Sequence, residues 1–291
     1  MRELAVVGLL PVRGEDGEVG EVLTCAKDAR SIAAMTALLV VLASVVAVAA
    51  AARSTWSPCG LSMLSTITPI GERGRNHRYG STAAWFIAGA VLGGATLAFG
   101  AALLAAGVAA LDLGGTTRVG IAAVLAAITL ASDLNLGGFR LPSHTRQVNE
   151  TWLDQYRSWV YGGGFGWQIG VGLATYVTTA AVYLMIGLAA LTASPVAAFV
   201  IVTGFGVVRG LAVLLGRSLV TPQRMLDLHR RLEELLPTAQ RAIVLVQAVV
   251  LAVAAGAAWG PAPALVLGTA GVLATFARAP RPAVRRAAQP A

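Results

Sequence analysis

Long uncharged runs of apolar residues are the feature that most limits what this chain can fold into. They occupy residues 31–52, 79–111, 119–132, 158–208 and 242–277. These runs reach or approach the length that an α-helix needs to cross the hydrocarbon core of a bilayer, about 20 residues. Because 56% of the 291 residues are apolar and only 12% are charged, an ordinary soluble domain is excluded. The sequence therefore predicts an all-α, polytopic bundle of membrane helices.

The number of crossings follows from the breaks within these runs and from the positions of arginine. Ser194-Pro195 divides the fourth run, and the segment 260–263 divides the fifth. A short broken span at 56–70 brings the total to about eight transmembrane helices. Loops rich in arginine alternate with loops almost without it, so the positive-inside rule predicts that both termini are cytoplasmic. A seven-span arrangement, with the terminal hairpin or the 56–70 segment re-entrant, is the alternative.

The polar ends of the chain define the domain organisation. Residues 1–30 are predicted as a polar cytoplasmic tail, 31–277 as the transmembrane domain and 278–291 as a basic cytoplasmic tail. Residues 30–52 fit a first helix, and they also fit a cleavable signal peptide. The segment 221–237 is predicted as a separate interfacial helix.

The net charge of +8 comes almost wholly from arginines that flank the apolar runs. Arginines in these positions indicate how the loops are oriented across the membrane. They do not form the continuous basic surface that binds nucleic acid. The predicted partner is the lipid bilayer of the cell inner membrane.

Cys59 is the one cysteine within the predicted membrane domain. Ser57 is a favoured N-cap and Pro58 a favoured first helical residue, so Cys59 is predicted in the first turn of a helix. Free amide groups and the helix dipole favour a thiolate there, which is the form that attacks disulfides and binds soft metals. We therefore predict Cys59 as the catalytic residue. The alternative is a small, buried, apolar side chain.

Small polar side chains follow Cys59 on a similar face of the same helix. Ser62 and Thr66 lie one and two turns beyond it and are predicted to line a polar pathway, whereas the other hydroxyl residues are assigned to helix packing. Pro69 cannot continue a helix without leaving a backbone carbonyl unbonded, so it is predicted to end the segment. Pro58 and Pro69 thus mark a helix break.

Two units of three spans, at about 56–139 and 161–259, are predicted from this topology. An odd number of spans in each unit forces opposite orientations, so the units would be inverted repeats. Both open with an interrupted helix, an arrangement that places a site at the interface between repeats. In the second opening, Gly166, Gly170 and Thr175 are the predicted helix-break or pathway residues.

Arg209 is the one arginine inside a predicted span. An arginine at membrane depth by default indicates an anion site or an ion pair, and Asp133 is the predicted partner. The alternative is a side chain that extends along the span to the cytoplasmic face. No metal or cofactor is predicted, because the zinc spacings are absent and the histidines lie in loops.

The sequence Ser57-Pro58-Cys59, followed by small residues and Pro69, resembles the Ser-Pro-Cys…Pro element of the CcdA/DsbD thiol–disulfide transporters. The resemblance implies two inverted three-helix repeats that carry electrons from cytoplasmic thioredoxin to extracytoplasmic acceptors, including those of cytochrome c maturation. It also implies a redox role for Cys59 and thioredoxin-like partners on one or both sides of the membrane. The second repeat has no cysteine. Where the family has its second cysteine, this chain has residues 165–172.

Three functions are compatible with these observations. The first is the movement of reducing equivalents across the inner membrane by thiol–disulfide exchange at Cys59. The second is a small-solute or ion transporter of the same inverted-repeat fold without redox chemistry, which the single membrane cysteine favours. The third is a structural subunit of a membrane complex.

Overall fold

The computed structural model describes residues 15–142, 156–173 and 177–277, with backbone alone for 15–29. Within these ranges the chain forms ten α-helices and two 3-10 turns, Leu136–Gly138 and Ala212–Ser218, and no strand. The prediction of an all-α fold is confirmed. The helices are α1 (Glu15–Ser54), α2 (Pro58–Thr66), α3 (Pro69–Gly74), α4 (Tyr79–Ala110), α5 (Gly115–Asp133), α6 (Ser158–Val171), α7 (Ala181–Leu191), α8 (Pro195–Leu211), α9 (Pro222–Trp259) and α10 (Pro261–Ala277).

Five segments of the described chain are long and apolar enough to cross a membrane. α7 and α10 are apolar but shorter. The helix lengths and composition therefore fit a membrane protein. The five segments are Arg30–Trp56, Tyr79–Ala110, Gly115–Asp133, Pro195–Ser218 and Pro222–Trp259.

Glycines bring α6 and α8 into backbone contact with α4 at the centre of the bundle. A β-carbon at Gly166 of α6 would overlap the carbonyl oxygen of Phe86, and one at Gly170 would overlap that of Ala90. On α8, a β-carbon at Gly206 would also meet the carbonyl oxygen of Ala90. Small residues of this kind let helices approach closely and gain van der Waals contact, which drives helix association in lipid. Gly166 and Gly170 are thus packing residues in this fold.

The glycine-rich opening of the second predicted repeat is a continuous helix rather than a broken one. α6 runs from Ser158 to Val171, and the interruption follows it at Gly172, whose φ is +73°. Glycine costs about 1 kcal/mol in a helix relative to alanine, and the close packing against α4 offsets that cost. The predicted pathway residue Thr175 lies outside the described residues.

Contacts between helix termini bring several elements to one end of the bundle. The hydroxyl of Tyr79, at the start of α4, donates to the carbonyl of Val213, just after α8. α5 returns to this same end because a short turn joins it to α4, and its last residue, Asp133, accepts from the amide of Ala180 before α7. We call this the arginine-rich end, since its loops carry Arg73, Arg75, Arg78, Arg140, Arg217 and Arg224.

The opposite end holds the turns with almost no arginine. Arg118, in the first turn of α5, is buried there and donates to the carbonyl of Thr192 after α7 at 3.1 Å. It also donates to the hydroxyl of Thr36 in α1 at 3.2 Å. The ring of Trp259, at the end of α9, packs against Gly120 of α5. Arg118 thus ties together three helices and satisfies carbonyls at the end of α7.

The predicted broken span at 56–70 begins and ends at the arginine-rich end. The indole nitrogen of Trp56 donates to the carbonyl of Leu232 at 2.8 Å, and Glu72 in α3 accepts from Tyr161 at 2.6 Å. The nine residues of α2 extend only about 13 Å, less than half of the hydrocarbon thickness. Cys59, in the first turn of α2, therefore lies toward the arginine-rich end.

Two helices are longer than predicted. The segment 221–237 is the first part of the 38-residue helix α9, with Pro237 inside it. Buried side chains on both sides of Pro237, Leu232 and Ile243, hold that helix against the bundle, so the lost backbone bond does not end it. α1 begins at Glu15, within the segment predicted as a polar tail, and its apolar face is buried through Leu39, Ala43, Val46 and Ala50.

A matched pair of substitutions in α6 tests the packing role of its glycines. We expect Gly166→Ala to lower the free energy of unfolding by about 1–3 kcal/mol, because the methyl group overlaps the α4 backbone. Gly163→Ala, where the nearest atom would lie at 3.9 Å, should be neutral or slightly stabilising. Thermal unfolding in detergent measures both variants. Equal melting temperatures for the two would contradict direct contact at Gly166.

Candidate functional site

The helix start around Cys59 forms as predicted. Ser57 is the N-cap residue, and its hydroxyl accepts from the amide of Gly60 at 3.1 Å. Pro58 is the first residue of α2, so Cys59 lies in its first turn, and only 1% of it is exposed. Because Cys59 is almost completely buried, a partner molecule cannot reach its thiol in this structure.

Arg209 lies beside Cys59 and is 4% exposed. Its guanidinium carbon is 5.4 Å from the centre of the Phe205 ring, a cation–π arrangement. It therefore does not extend to the cytoplasmic face, and Asp133, the predicted partner, is bound to other groups. The structure thus brings Cys59 and Arg209 together. A void bordered by Arg209 and by Gly60, the residue after Cys59, has a volume of only about 10 Å³, no more than the size of one water molecule.

The other predicted residues of this segment mainly bond locally. The hydroxyl of Thr66 donates to the carbonyl of Ser62 at 2.8 Å, within their own helix. Pro69 begins α3 after the N-cap Thr68, so α2 ends before it as predicted. Ser62 and Thr66 are half-buried, and they are not among the residues that line the large cavity described next. Their role in a pathway stays a prediction.

The main opening in the described part of the chain is a polar cavity at the arginine-rich end. It has two adjoining lobes of about 460 and 370 Å³, within the roughly 300–1,000 Å³ typical of small-molecule sites. The ends of α1 and α5, the residues before α7, and the middle of α9 form its walls. Polar residues that line it include Arg53, Asp133, Asn135, Arg140, Thr178, Thr179, Gln240 and Arg241.

Asp133 organises one wall of this cavity. Its carboxylate accepts from the hydroxyl of Thr179 at 2.5 Å, the amide of Ala180 at 2.7 Å and the side-chain nitrogen of Gln247 at 2.6 Å. Because Ala180 is the N-cap of α7, the negative charge lies at the positive end of that helix dipole, where it is stabilising. One side chain therefore connects α5, α7 and α9.

Arg53 forms the opposite part of the wall. It lies in the last turn of α1, is 7% exposed and lines both lobes. Asp133 attracts it electrostatically, yet its Nη1 atom has no hydrogen-bond partner among the described residues. An unpartnered buried donor is costly, particularly on a charged group. The cavity thus contains one guanidinium nitrogen whose bonding capacity is unused.

A second buried acid, Glu72, shows the contrasting case. It is fully buried and accepts from the hydroxyls of Tyr161 at 2.6 Å and Thr82 at 2.5 Å, and from Arg75 at 3.1 Å. These partners come from α6, α4 and the end of α3. Because the carboxylate oxygens are all engaged and the large cavity does not reach them, we interpret Glu72 as a cross-link of the bundle. In the described ranges no group of three or more His, Cys, Asp or Glu side chains has an arrangement that could hold a metal.

Sequence reasoning missed the cavity because its charged residues lie far apart in the chain. Arg53 was not among the predicted site residues, and Asp133 was predicted as the partner of Arg209. The signal that was present is positional, since Arg53 directly follows one uncharged run and Asp133 another. Only the packing of α1 against the ends of α5 and α9 places these termini around one space.

The Asp133 network can be tested by amide substitution. Asp133→Asn keeps the size of the side chain but replaces one carboxylate oxygen with an amino group, which then faces either the Ala180 amide or the Thr179 and Gln247 donors. We therefore expect a loss of about 1–3 kcal/mol in the free energy of unfolding. Asp112→Asn is the matched control, because Asp112 is exposed with φ +45°, a conformation that asparagine tolerates. Thermal unfolding in detergent should separate the two. A stable Asp133→Asn protein would show that the network does not hold the helices together.

Comparison with known proteins finds relatives that share one description. The chain is 30% identical over 154 residues to methylamine utilization protein MauF of Methylorubrum extorquens, which covers 52% of this chain and 54% of the relative. It is 29% identical over 202 residues to MauF of Paracoccus versutus, covering 66% and 70%, and 32% identical over 161 residues to MauF of Paracoccus denitrificans, covering 55% and 58%. No family model matches the chain, and no solved structure gives a significant match.

These relatives correct the sequence-based assignment. The chain spans about half the length of the first of them, 54%, and five relatives carry the MauF name while none is a CcdA/DsbD protein. The predicted membership of the CcdA/DsbD family is therefore wrong. Thiol–disulfide transfer at Cys59, its link to cytochrome c biogenesis, and the solute-transporter alternative are wrong with it, because methylamine utilisation fits neither function. What the chain resembles is MauF, within an all-helical fold suited to a membrane.

Proposed function

We propose that this chain is an integral membrane protein that serves methylamine utilisation in the role of MauF. The observation that carries the proposal is the shared name of five relatives, of which those reported above are 29–32% identical to this chain over 154–202 residues. The helices that match a bilayer in length and composition support a membrane location.

The polar cavity is the proposed working site of the protein. Buried polar groups in folded proteins are almost always hydrogen-bonded, so an unpartnered one calls for a specific explanation. Arg53 is such a group, and it lies in a cavity of ligand size. Strained or unsatisfied arrangements persist where the surrounding structure enforces them, and they concentrate at functional sites. The void between Gly60 and Arg209, at about 10 Å³, has no room for a ligand.

Seven crossings, not eight, are the arrangement that the contacts between helix ends support. α1, α5, α8 and α10 run toward the arginine-rich end, while α4, α7 and α9 run away from it. α6 enters from that end and stops beside Gly93, near the middle of α4. By the positive-inside rule the arginine-rich end is cytoplasmic. The N-terminus would then be extracytoplasmic and the C-terminus cytoplasmic.

An inverted repeat is retained in this proposal, but with different boundaries. The crossings α1, α4 and α5 form one unit, and α7, α8 and α9 form the other, with every direction reversed. Equivalent helices pack on each other across the units, α1 with α7, α4 with α8 and α5 with α9. A pseudo-two-fold axis in the membrane plane produces this pairing. The polar cavity then lies between the units, bordered by α1, α5, the start of α7 and α9.

Replacement of MauF in Paracoccus denitrificans tests the proposed function. We expect the chain, expressed in place of MauF, to restore growth on methylamine and to leave growth on another carbon source unchanged. Arg53→Gln should abolish the restored growth because it removes the buried charge of the cavity, whereas Arg231→Gln, exposed on the outer part of α9, should not. Immunoblots of membranes confirm equal amounts of protein. Absence of growth with the unmodified chain present in the membrane would refute the proposal.

The side of the N-terminus tests the seven-crossing arrangement. An epitope tag at the N-terminus and one in the turn at residues 192–194 should both react with antibody on intact spheroplasts. A tag in the loop at 219–221 should react only after the membrane is permeabilised. Two cytoplasmic termini, as eight crossings require, would leave the N-terminal tag protected.

A further inference from the structure

Some polar groups of the cavity have hydrogen-bond partners among the described residues, and others have none. Asp133 is the one acidic side chain among the described residues that line it, and donors from Thr179, Ala180 and Gln247 already engage both carboxylate oxygens. A cationic ligand would therefore have to displace at least one of these bonds. The buried oxygen of Gln247 is also without a partner, but Gln247 is behind Asp133 and does not line either lobe.

The described polar groups of the cavity walls that lack a hydrogen-bond partner are able to donate a hydrogen bond. Arg53 has a buried Nη1 atom with no partner among the described residues, and the hydroxyl of Thr178 is likewise buried and unpartnered. Both residues line both lobes. Among the described residues of this cavity, no acceptor bonds the Nη1 atom of Arg53.

Two further arginines stand at the mouth of the cavity. Arg140 and Arg241 are exposed and line it, and the Nε of Arg140 donates to the side chain of Asn135 at 2.9 Å. Asn135 holds a left-handed conformation, with φ +51°, which asparagine adopts more readily than most residues. Among the described lining residues three arginines face one aspartate, so this part of the lining carries an excess of positive charge.

We propose that this cavity binds a phosphate group, supplied by an anionic lipid headgroup or by a small soluble phosphate compound. A planar guanidinium presents paired donors that match the oxygens of phosphate, and charge-assisted bonds of this kind are among the strongest in proteins. The phosphate would bond the unused nitrogen of Arg53, and Arg140 and Arg241 would neutralise its remaining charge. The inference rests on the proposed function only in taking this cavity as the working site.

The location of the cavity is compatible with both sources of phosphate. It opens between helices at the arginine-rich end, where a bilayer presents headgroups on the cytoplasmic side. The same opening faces the aqueous phase through the exposed side chains of Arg140 and Arg241. The phosphate chemistry is the same for either source. Experiments in bilayers with and without an anionic lipid distinguish the lipid from the soluble compound.

The test uses the full chain in nanodiscs and compares two arginine variants. Inorganic phosphate is titrated into protein in phosphatidylcholine nanodiscs by calorimetry, and native mass spectrometry records lipid retained from nanodiscs that contain phosphatidylglycerol. In whichever of these two measurements detects binding, we expect Arg53→Gln to weaken it at least about tenfold, because a hydrogen bond to a charged group is lost. Arg231→Gln removes the same charge from an exposed site on α9 outside the cavity and should bind like the unmodified protein.

The two arms identify the source. Saturable binding of inorganic phosphate in phosphatidylcholine supports a soluble ligand, and retention of one phosphatidylglycerol that is lost in Arg53→Gln supports a lipid. If neither probe binds, or if Arg53→Gln and Arg231→Gln bind equally, the inference is wrong. Arg241→Gln covers the case in which Arg53→Gln does not fold, since Arg241 is exposed, and it should also weaken binding. A chain that restores growth on methylamine but binds neither probe would keep the proposed function and overturn this inference alone.

Discussion

Backbone contact through glycine is the interaction on which the rest of the bundle depends. In lipid, apolar side chains gain little by leaving the bilayer for one another, so helices associate through close van der Waals packing and polar bonds. Gly166, Gly170 and Gly206 bring two helices against the backbone of α4. Arg209, on the same helix as Gly206, is carried with it into the interior beside Cys59. The position of that buried charge is therefore a consequence of glycine packing.

Local features of the sequence predicted local structure well. The apolar runs yielded the long helices, and the cap at Ser57 with Pro58 and the break before Pro69 are where the sequence indicated. These features succeed because each depends on neighbours within a few residues. Segment 56–70 is not among the described segments long enough to cross a membrane, and charge alternation alone cannot distinguish a short crossing from two short helices that return to the same end.

The candidate site depends on contacts between residues far apart in the chain, which no local sequence pattern predicts. Arg53 and Asp133 are 80 positions apart in the chain, and each looked like the charged end of an ordinary span. The end of α7 that meets Asp133 follows residues 177–179, which lie outside any helix, so the depth of this helix end in the membrane could not be derived from helix length. Resemblance around Cys59 also drew the functional interpretation toward the wrong family, since a capped Pro-Cys helix start forms here for reasons of backbone geometry alone.

The length of α9 links two regions that otherwise lie apart. Its 38 residues extend about 57 Å, far more than the hydrocarbon core, so its first turns must project beyond the bilayer. The carbonyl of Leu232 in that outer part holds Trp56, and Gln247 in the inner part holds Asp133. α9 therefore joins the contact with Trp56 to the contact with Asp133 through one continuous helix. A displacement of its first turns would be transmitted along the helix to the carboxylate that lines the cavity.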